Sequence, residues 1–317
     1  MKQILAFLTC CLLWPALGYA QSDTVTLDTK TGTLSGTLLR PTDKAGPYPL
    51  VILHAGSGPT DRDGNQGMFQ AGSLRLLADG LAKRGIASLR YDKRGVGSSA
   101  SAGLDEKDLR FEDFVDDLKA WIAAYRTDDR FSAITLAGHS EGALISMLAA
   151  RDEPGVDAFI SLAGPGRPAD ALLHEQLVKQ FPDQDATLNN LLDSIRQGEI
   201  IQDLPPNMQP IFRTSVQPYL HSWFQYDPRQ VIAELAQPIL IVQGTTDIQV
   251  PENAADLLSK AAGNNVQKII YPHMNHLLKT CPYTERNLQI LNYMNPNLPL
   301  HEGLVDDLAT FIQAIKH

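Results

Sequence analysis

Ser140 sits between two glycines in "GHSEG" (138–142), at the junction of an apolar run, "SAITLAG" (132–138), and a helix-forming run, "GALISMLAAR" (142–151). A strand that turns sharply into a helix forces the residue at the turn into strained backbone geometry and lifts its side chain above the sheet edge. The flanking glycines leave room for that turn, because a Cβ at either place would crowd the neighbouring helix and strand. The new helix also presents its first amides to any negative charge that develops there. Ser140 is therefore a candidate nucleophile, although the five-residue pattern alone also fits a small residue filling a tight turn.

A serine hydroxyl attacks a carbonyl only when a base takes its proton, and the base needs an acid to orient it. Both residue types follow in the order serine, aspartate, histidine. Asp247 lies in "VQGTTDIQVP" (242–251) and His276 in "YPHMNHLL" (271–278), each just past an apolar run with the look of a buried strand. Catalytic groups of open parallel sheets gather at the C-terminal ends of strands, so the three could converge. His273 competes with His276 as the base. His54 and His139 flank the region and read as packing or hydrogen-bonding residues; His174 and His221 lie further off and could touch a substrate. No histidine pair has H-E-x-x-H or other zinc spacing, and the chemistry calls for no metal and no cofactor.

The elements that would position these residues alternate. "TVTLDTKTGTLSGTLLRP" (24–41) reads as a β-hairpin turning at Thr31-Gly32. Strand-like runs follow at 48–56, 86–92, 132–138, 156–164, 237–244 and 266–272, separated by helical patterns at 73–85, 111–126, after Ser140, at 252–262 and at 302–316. Such alternation predicts an α/β fold with a mostly parallel central sheet and helices on both faces. Residues 167–236 interrupt it with helical or irregular segments only, which predicts a helical cap inserted into a core made of 21–166 and 237–317. The polar, proline-containing sequence of that segment speaks against a domain with its own core. Its Met208, Phe212, Tyr219, Trp223, Phe224 and Tyr226 could line an acyl pocket or pack against the main domain.

Two motifs fail their own context tests. "GVGSSA" (95–100) follows a strand, but no apolar helix opens after it, so a dinucleotide site is not expected. "DRDGN" (61–65) has the start of a calcium loop, yet Gly72 stands where the closing acidic residue belongs, so an ion-paired or solvated loop is expected.

Of the 317 residues, 44% are apolar and 20% charged, and the net charge is −9. That balance argues against nucleic acid or an anionic membrane as partner and leaves a small molecule. Residues 1–20, "MKQILAFLTCCLLWPALGYA", have a positive start at Lys2, an apolar stretch broken by Pro15 and a small-x-small end at Gly18-Tyr19-Ala20. They read as a signal peptide, which predicts export to the periplasm or medium and no integral membrane segment once it is removed. Cys281 is then the only cysteine, so no intramolecular disulfide is expected.

Five segments carry a resemblance: "HAGSGPTDRDGN", "RYDKRGVGSS", "GHSEG", "GTTDIQVP" and "HMNHLL". Across nearly all of the expected mature chain the sequence resembles an α/β-hydrolase, and within that superfamily it is similar to bacterial esterases grouped with serine aminopeptidases and monoglyceride lipases. The resemblance implies Ser140 as nucleophile, Asp247 as acid and His276 as base. It also implies an oxyanion hole from the backbone amides of Glu141 and of a residue in "HAGSGP". Ser57 holds the variable place of the H-G-x-G turn, while Ala55 replaces its histidine and His54 comes one place early, which keeps Gly56 as an alternative donor. Asp92, Arg94 and Gly95 would form a structural turn beside the site. The Glu141 side chain is expected to do no more than favour the helix dipole. The implied activity is hydrolysis of short or medium acyl esters. The same triad also serves aminopeptidases, amidases and acyltransferases, and a hydrolase scaffold with an unused triad would be a binding module.

Overall fold

The structure, a computed structural model, describes residues 20–315. The expected leader lies outside the described residues except for Ala20, which opens the first strand. Eight strands form one sheet: β1 (Ala20–Asp28), β2 (Thr33–Pro41), β3 (Tyr48–His54), β4 (Ala87–Tyr91), β5 (Phe131–His139), β6 (Ala158–Leu162), β7 (Ile239–Gly244) and β8 (Val266–Tyr271). Their order is β1-β2-β4-β3-β5-β6-β7-β8. The β1–β2 hairpin is antiparallel and joins β4 antiparallel; every pair from β4 to β8 is parallel. The expected α/β architecture is therefore the one formed, with the hairpin starting four residues earlier than its alternating pattern suggested.

The strand periodicity of two explains the two cores. In β3, Leu50 and Ile52 face one side while Val51 and Leu53 face the other; in β7, Ile239 and Ile241 oppose Leu240 and Val242. Helices α1 (Ser73–Ala82), α2 (Phe111–Tyr125) and α3 (Glu141–Asp152) come from the first half. Of these, α2 and α3 cover the first face and α1 the second.

Between β6 and β7 the chain forms α4 (Ala169–Val178), α5 (Asp185–Arg196), α6 (Gln209–Phe212), α7 (Gln217–Phe224) and α8 (Pro228–Ala233). Contrary to the sequence reading, this insert has a core of its own. Leu188, Leu191, Leu192 and Ile195 form a helical stripe on α5 that packs with Leu177, Met208, Phe212, Leu220 and Phe224. Most of the aromatic residues that could have lined an acyl pocket are thus used in packing, the other role open to them. Trp223 stacks on Phe111 of α2 at 5.8 Å and 6°, Phe111 N–H donates to Ser222 Oγ (2.8 Å), and Tyr226 donates to Glu112 (2.6 Å), which fixes the insert to the main layer.

After β7 come α9 (Asn253–Ala262), α10 (Arg286–Tyr293) and α11 (Leu304–Gln313). α9 joins α2, α3 and α8 on the first face, and α11 lies beside α1 on the second. α10 was not expected: its buried Gln289 donates to Thr246 O (3.0 Å), so the helix braces the loop after β7.

Candidate active site

Ser140 occupies the turn between β5 and α3 with φ 56° and ψ −125°, a conformation that ordinary side chains avoid. Its N–H donates to Leu162 O of β6 (2.9 Å), which holds the strained residue in place. Both glycines are required by close approach. A Cβ on Gly138 would lie 2.6 Å from Ala143 Cα, and one on Gly142 would lie 2.6 Å from Ala55 O and 2.7 Å from His54 O. The tight turn therefore presses α3 against the ends of both β5 and β3. Gly56, in the loop after β3, packs on the nucleophile candidate itself: a Cβ there would be 3.1 Å from Ser140 Cβ.

The loops after β7 and β8 are fastened together. Thr245 N–H donates to Tyr271 O (3.0 Å), Thr246 N–H to Met274 O (3.2 Å) and Thr246 Oγ1 to Cys281 O (2.7 Å). This brings Asp247 to His276. His276 Nδ1–H donates to Asp247 Oδ2 across 2.7 Å, and both side chains are almost wholly buried. Asp247 also accepts from the N–H groups of Gln249 (2.8 Å) and Val250 (2.9 Å) and from Gln243 Nε2 (3.3 Å). With Nδ1 carrying the proton, His276 Nε2 is the free acceptor. His273, the rival base, is exposed and does not reach Asp247; its N–H is bound by Thr245 Oγ1 (2.9 Å). His174 pairs with Asp185 and His221 with the carbonyls ending α5, so both serve the insert's own structure.

Among the described residues no hydrogen bond joins Ser140 Oγ to His276. The two are tied instead through His139, whose Nε2–H donates to the His276 carbonyl (2.7 Å) with the rings 4.8 Å apart. Burial, and then the neighbouring His276, hold the His139 pKa down to about 4. His54 is buried against Tyr91, and burial followed by the Lys93 charge lowers it to about 3.

Neither the Ser57 nor the Glu141 amide has an acceptor among the described residues; Glu141 follows Ser140 in the chain, and Ser57 follows Gly56, which packs on Ser140. The Glu141 side chain departs from expectation. It is not a solvated helix-dipole partner but is 3% exposed, accepts from Tyr219 of α7, and has its pKa raised by burial despite the opposing charge of Lys93. Lys93, 2% exposed, donates to Gly56 O and lies 5.4 Å from the Phe114 ring centre. No local pattern marks Lys93 or Tyr219, because their partners, Gly56 and Glu141, lie 37 and 78 positions away.

Of the remaining motifs, Asp61 accepts from the N–H groups of Asp63 (2.9 Å) and Asn65 (2.8 Å), while Asp63 pairs with Arg90. The loop is ion-paired, as expected. Asp92 accepts from Arg62 and from Ser98 N–H, and Arg94 binds Asp117, which makes 92–98 a cross-linked turn.

An eight-stranded, mostly parallel sheet with a sharp turn at Ser140 between β5 and α3 defines the α/β-hydrolase fold. A family model described as serine aminopeptidase, S33, matches residues 68–215. The chain is 27% identical to esterase EstD of Thermotoga maritima over 74% of its own length and 55% of that protein, so it spans little more than half of that relative. It is 24% identical to a monoglyceride lipase homolog of Monkeypox virus over 73% of this chain and 83% of that protein. Est1E from Butyrivibrio proteoclasticus has the same fold, with a TM-score of 0.59 at 20% identity over 92% of this chain and 99% of that one. The chain has the α/β-hydrolase fold and is similar to proteins of the esterase branch.

Proposed function

We propose that this protein is an exported serine hydrolase that cleaves carboxylic esters of short or medium acyl length through an acyl-enzyme. His276 Nε2 takes the Ser140 Oγ proton as Oγ bonds to the acyl carbon. The carbonyl oxygen becomes an oxyanion held by the amides of Ser57 and Glu141. Collapse breaks the ester bond, and His276 returns its proton to the leaving alkoxide. Water then repeats the sequence with His276 as base, releasing the acid and free Ser140. Asp247 keeps the His276 ring in the tautomer that this requires. The insert, residues 167–236, acts as a cap over the site.

The observation that carries the reading is the buried Asp247–His276 hydrogen bond, at 2.7 Å, beside a serine held at φ 56°. Neutral His139 against His276 adds support, since a second positive ring there would oppose imidazolium formation. Residues 1–20 support export; Edman sequencing of protein recovered from periplasm or medium should begin at Gln21.

The direct test is mass spectrometry after fluorophosphonate treatment, with turnover of p-nitrophenyl acetate, butyrate and octanoate. One adduct on Ser140 together with ester turnover is the expected result, and Ser140→Ala should lose both while remaining folded. An unmodified protein overturns the reading. Labelling without ester turnover but with cleavage of aminoacyl p-nitroanilides would favour an aminopeptidase, the activity in the description of the matching family model.

A further inference from the structure

We propose that Lys93 is a positioning residue for the oxyanion hole, holding the Gly56–Ser57 peptide so that the Ser57 amide is aimed at the reacting carbonyl, with Glu141 and Tyr219 linking that peptide to the insert. The inference rests on the serine-hydrolase reading above.

Lys93 ends its reach on a single acceptor, the Gly56 carbonyl. The Gly56–Ser57 peptide is trans. In a trans peptide the carbonyl and the following N–H point in opposite directions. Fixing Gly56 O on the buried side therefore turns the Ser57 N–H away from Lys93, out of the packed interior and toward the exposed Ser57 side. Gly56 itself packs on Ser140, so the direction of this one peptide decides whether a donor faces the serine's carbonyl target.

A charged ammonium is an expensive way to hold a carbonyl at 2% exposure, where an apolar side chain would pack without desolvation cost. Its compensation comes from the residue that follows the nucleophile. Burial pushes the Lys93 pKa down and the Glu141 pKa up; against that, each favours the charged form of the other, without direct ion-pair contact. Tyr219 of α7 donates a hydrogen bond to the Glu141 carboxylate. The two amides named for the oxyanion hole thus belong to Ser57, whose peptide Lys93 grips, and to Glu141, whose buried carboxylate is within electrostatic reach of Lys93. Two hydrogen bonds, Lys93 to Gly56 and Tyr219 to Glu141, with the charge attraction between Lys93 and Glu141, connect both donors with the insert.

The test compares Lys93→Met with the double variant Lys93→Met/Glu141→Gln, which leaves no lone buried charge. Each is assayed with matched p-nitrophenyl oxo- and thionoesters, with thermal unfolding measured alongside. Sulfur is a poor acceptor in an oxyanion hole, so an intact hole favours the oxoester and a misaimed one favours it less. The expected result is a kcat lower by roughly 10²-fold, KM within about two-fold, and a narrowed oxo/thiono ratio. If the single variant does not fold, the double variant decides. Unchanged kcat, or reduced kcat with the wild-type oxo/thiono ratio, overturns the proposal. A wild type that neither labels at Ser140 nor turns over ester removes the hydrolase reading itself, which separates the two failures.

Discussion

His139 Nε2 lies 2.7 Å from the main-chain oxygen of His276, so the residue before the nucleophile candidate holds the backbone of the candidate base. This contact joins the β5 elbow to the loop after β8, which otherwise approach from separate strands. Its rupture should misplace the imidazole without removing it. His139→Phe is expected to lower kcat by on the order of 10–100-fold, with KM little changed, since small errors in position are expensive to a reacting pair. His139→Gln retains a donor and should recover part of the loss. Equal kcat values for His139→Phe and the wild type would show that Asp247 alone suffices to place the ring.

Ser140 carries backbone strain at the turn between β5 and α3. At φ 56°, ψ −125° a non-glycine residue is destabilised by about 1–3 kcal/mol, whereas glycine adopts the region freely. Glycine gives back roughly 0.4–1 kcal/mol through the entropy of the unfolded chain. Relief of the strain outweighs that entropy, so Ser140→Gly should be more stable than the wild type by about 0.5–2 kcal/mol. Ser140→Ala keeps the Cβ and should gain little. Both should be inactive. Urea midpoints for the three proteins check the order, and a Ser140→Gly variant no more stable than Ser140→Ala would count against strain at this turn.

The sheet and the three residues at its strand ends were legible because each rests on a local signal. Continuous apolar runs mark buried parallel strands, and the order serine, aspartate, histidine places Ser140, Asp247 and His276 beyond three of them. The Glu141 side chain was misread for the opposite reason. Its partner Tyr219 is 78 positions away, and nothing within "GHSEG" distinguishes a buried carboxylate from a solvated one. The insert's core was missed because its apolar residues are divided among short helices, each too brief to show a convincing stripe except α5. α10 was missed because Leu291 and Met294, exposed in the structure, blur its buried side.

Gly142 is constrained by backbone rather than by side chains. A methyl group there would meet two backbone oxygens, Ala55 O and His54 O, which cannot rotate away as a side chain could. α3 must therefore lift, or the loop after β3 must retreat and take Gly56 and Ser57 with it. Gly142→Ala should lose about 1–3 kcal/mol by overpacking. It should also lose ester turnover by more than the unfolded fraction accounts for, because the Ser57 amide moves. Denaturation curves with kcat at matched folded fraction check this. Activity that merely follows the folded fraction would restrict the role of Gly142 to packing.

Acid should weaken the fold between pH 7 and pH 5 through His54 and His139. Burial lowers their pKa values to about 3 and about 4, against 6.5 for the free ring. Below pH 6.5 the unfolded chain therefore binds protons that the folded one refuses, and stability falls as pH falls. The stabilising contribution is complete above the unfolded value and is lost down to the folded one. At about 1.4 kcal/mol per proton and pH unit, each ring should remove roughly 2 kcal/mol between about pH 7 and pH 5. Glu141 acts in the opposite sense: its raised pKa makes the folded state the better proton binder just above 4.5, which offsets part of the loss. His54→Leu removes one titrating ring that makes no hydrogen bond to Asp247 or His276. Whatever its effect at pH 7, its stability should fall by about 2 kcal/mol less than that of the wild type on going to pH 5, as read from denaturant midpoints. Parallel pH profiles for the two proteins would mean that His54 takes up its proton as readily in the fold as in the unfolded chain.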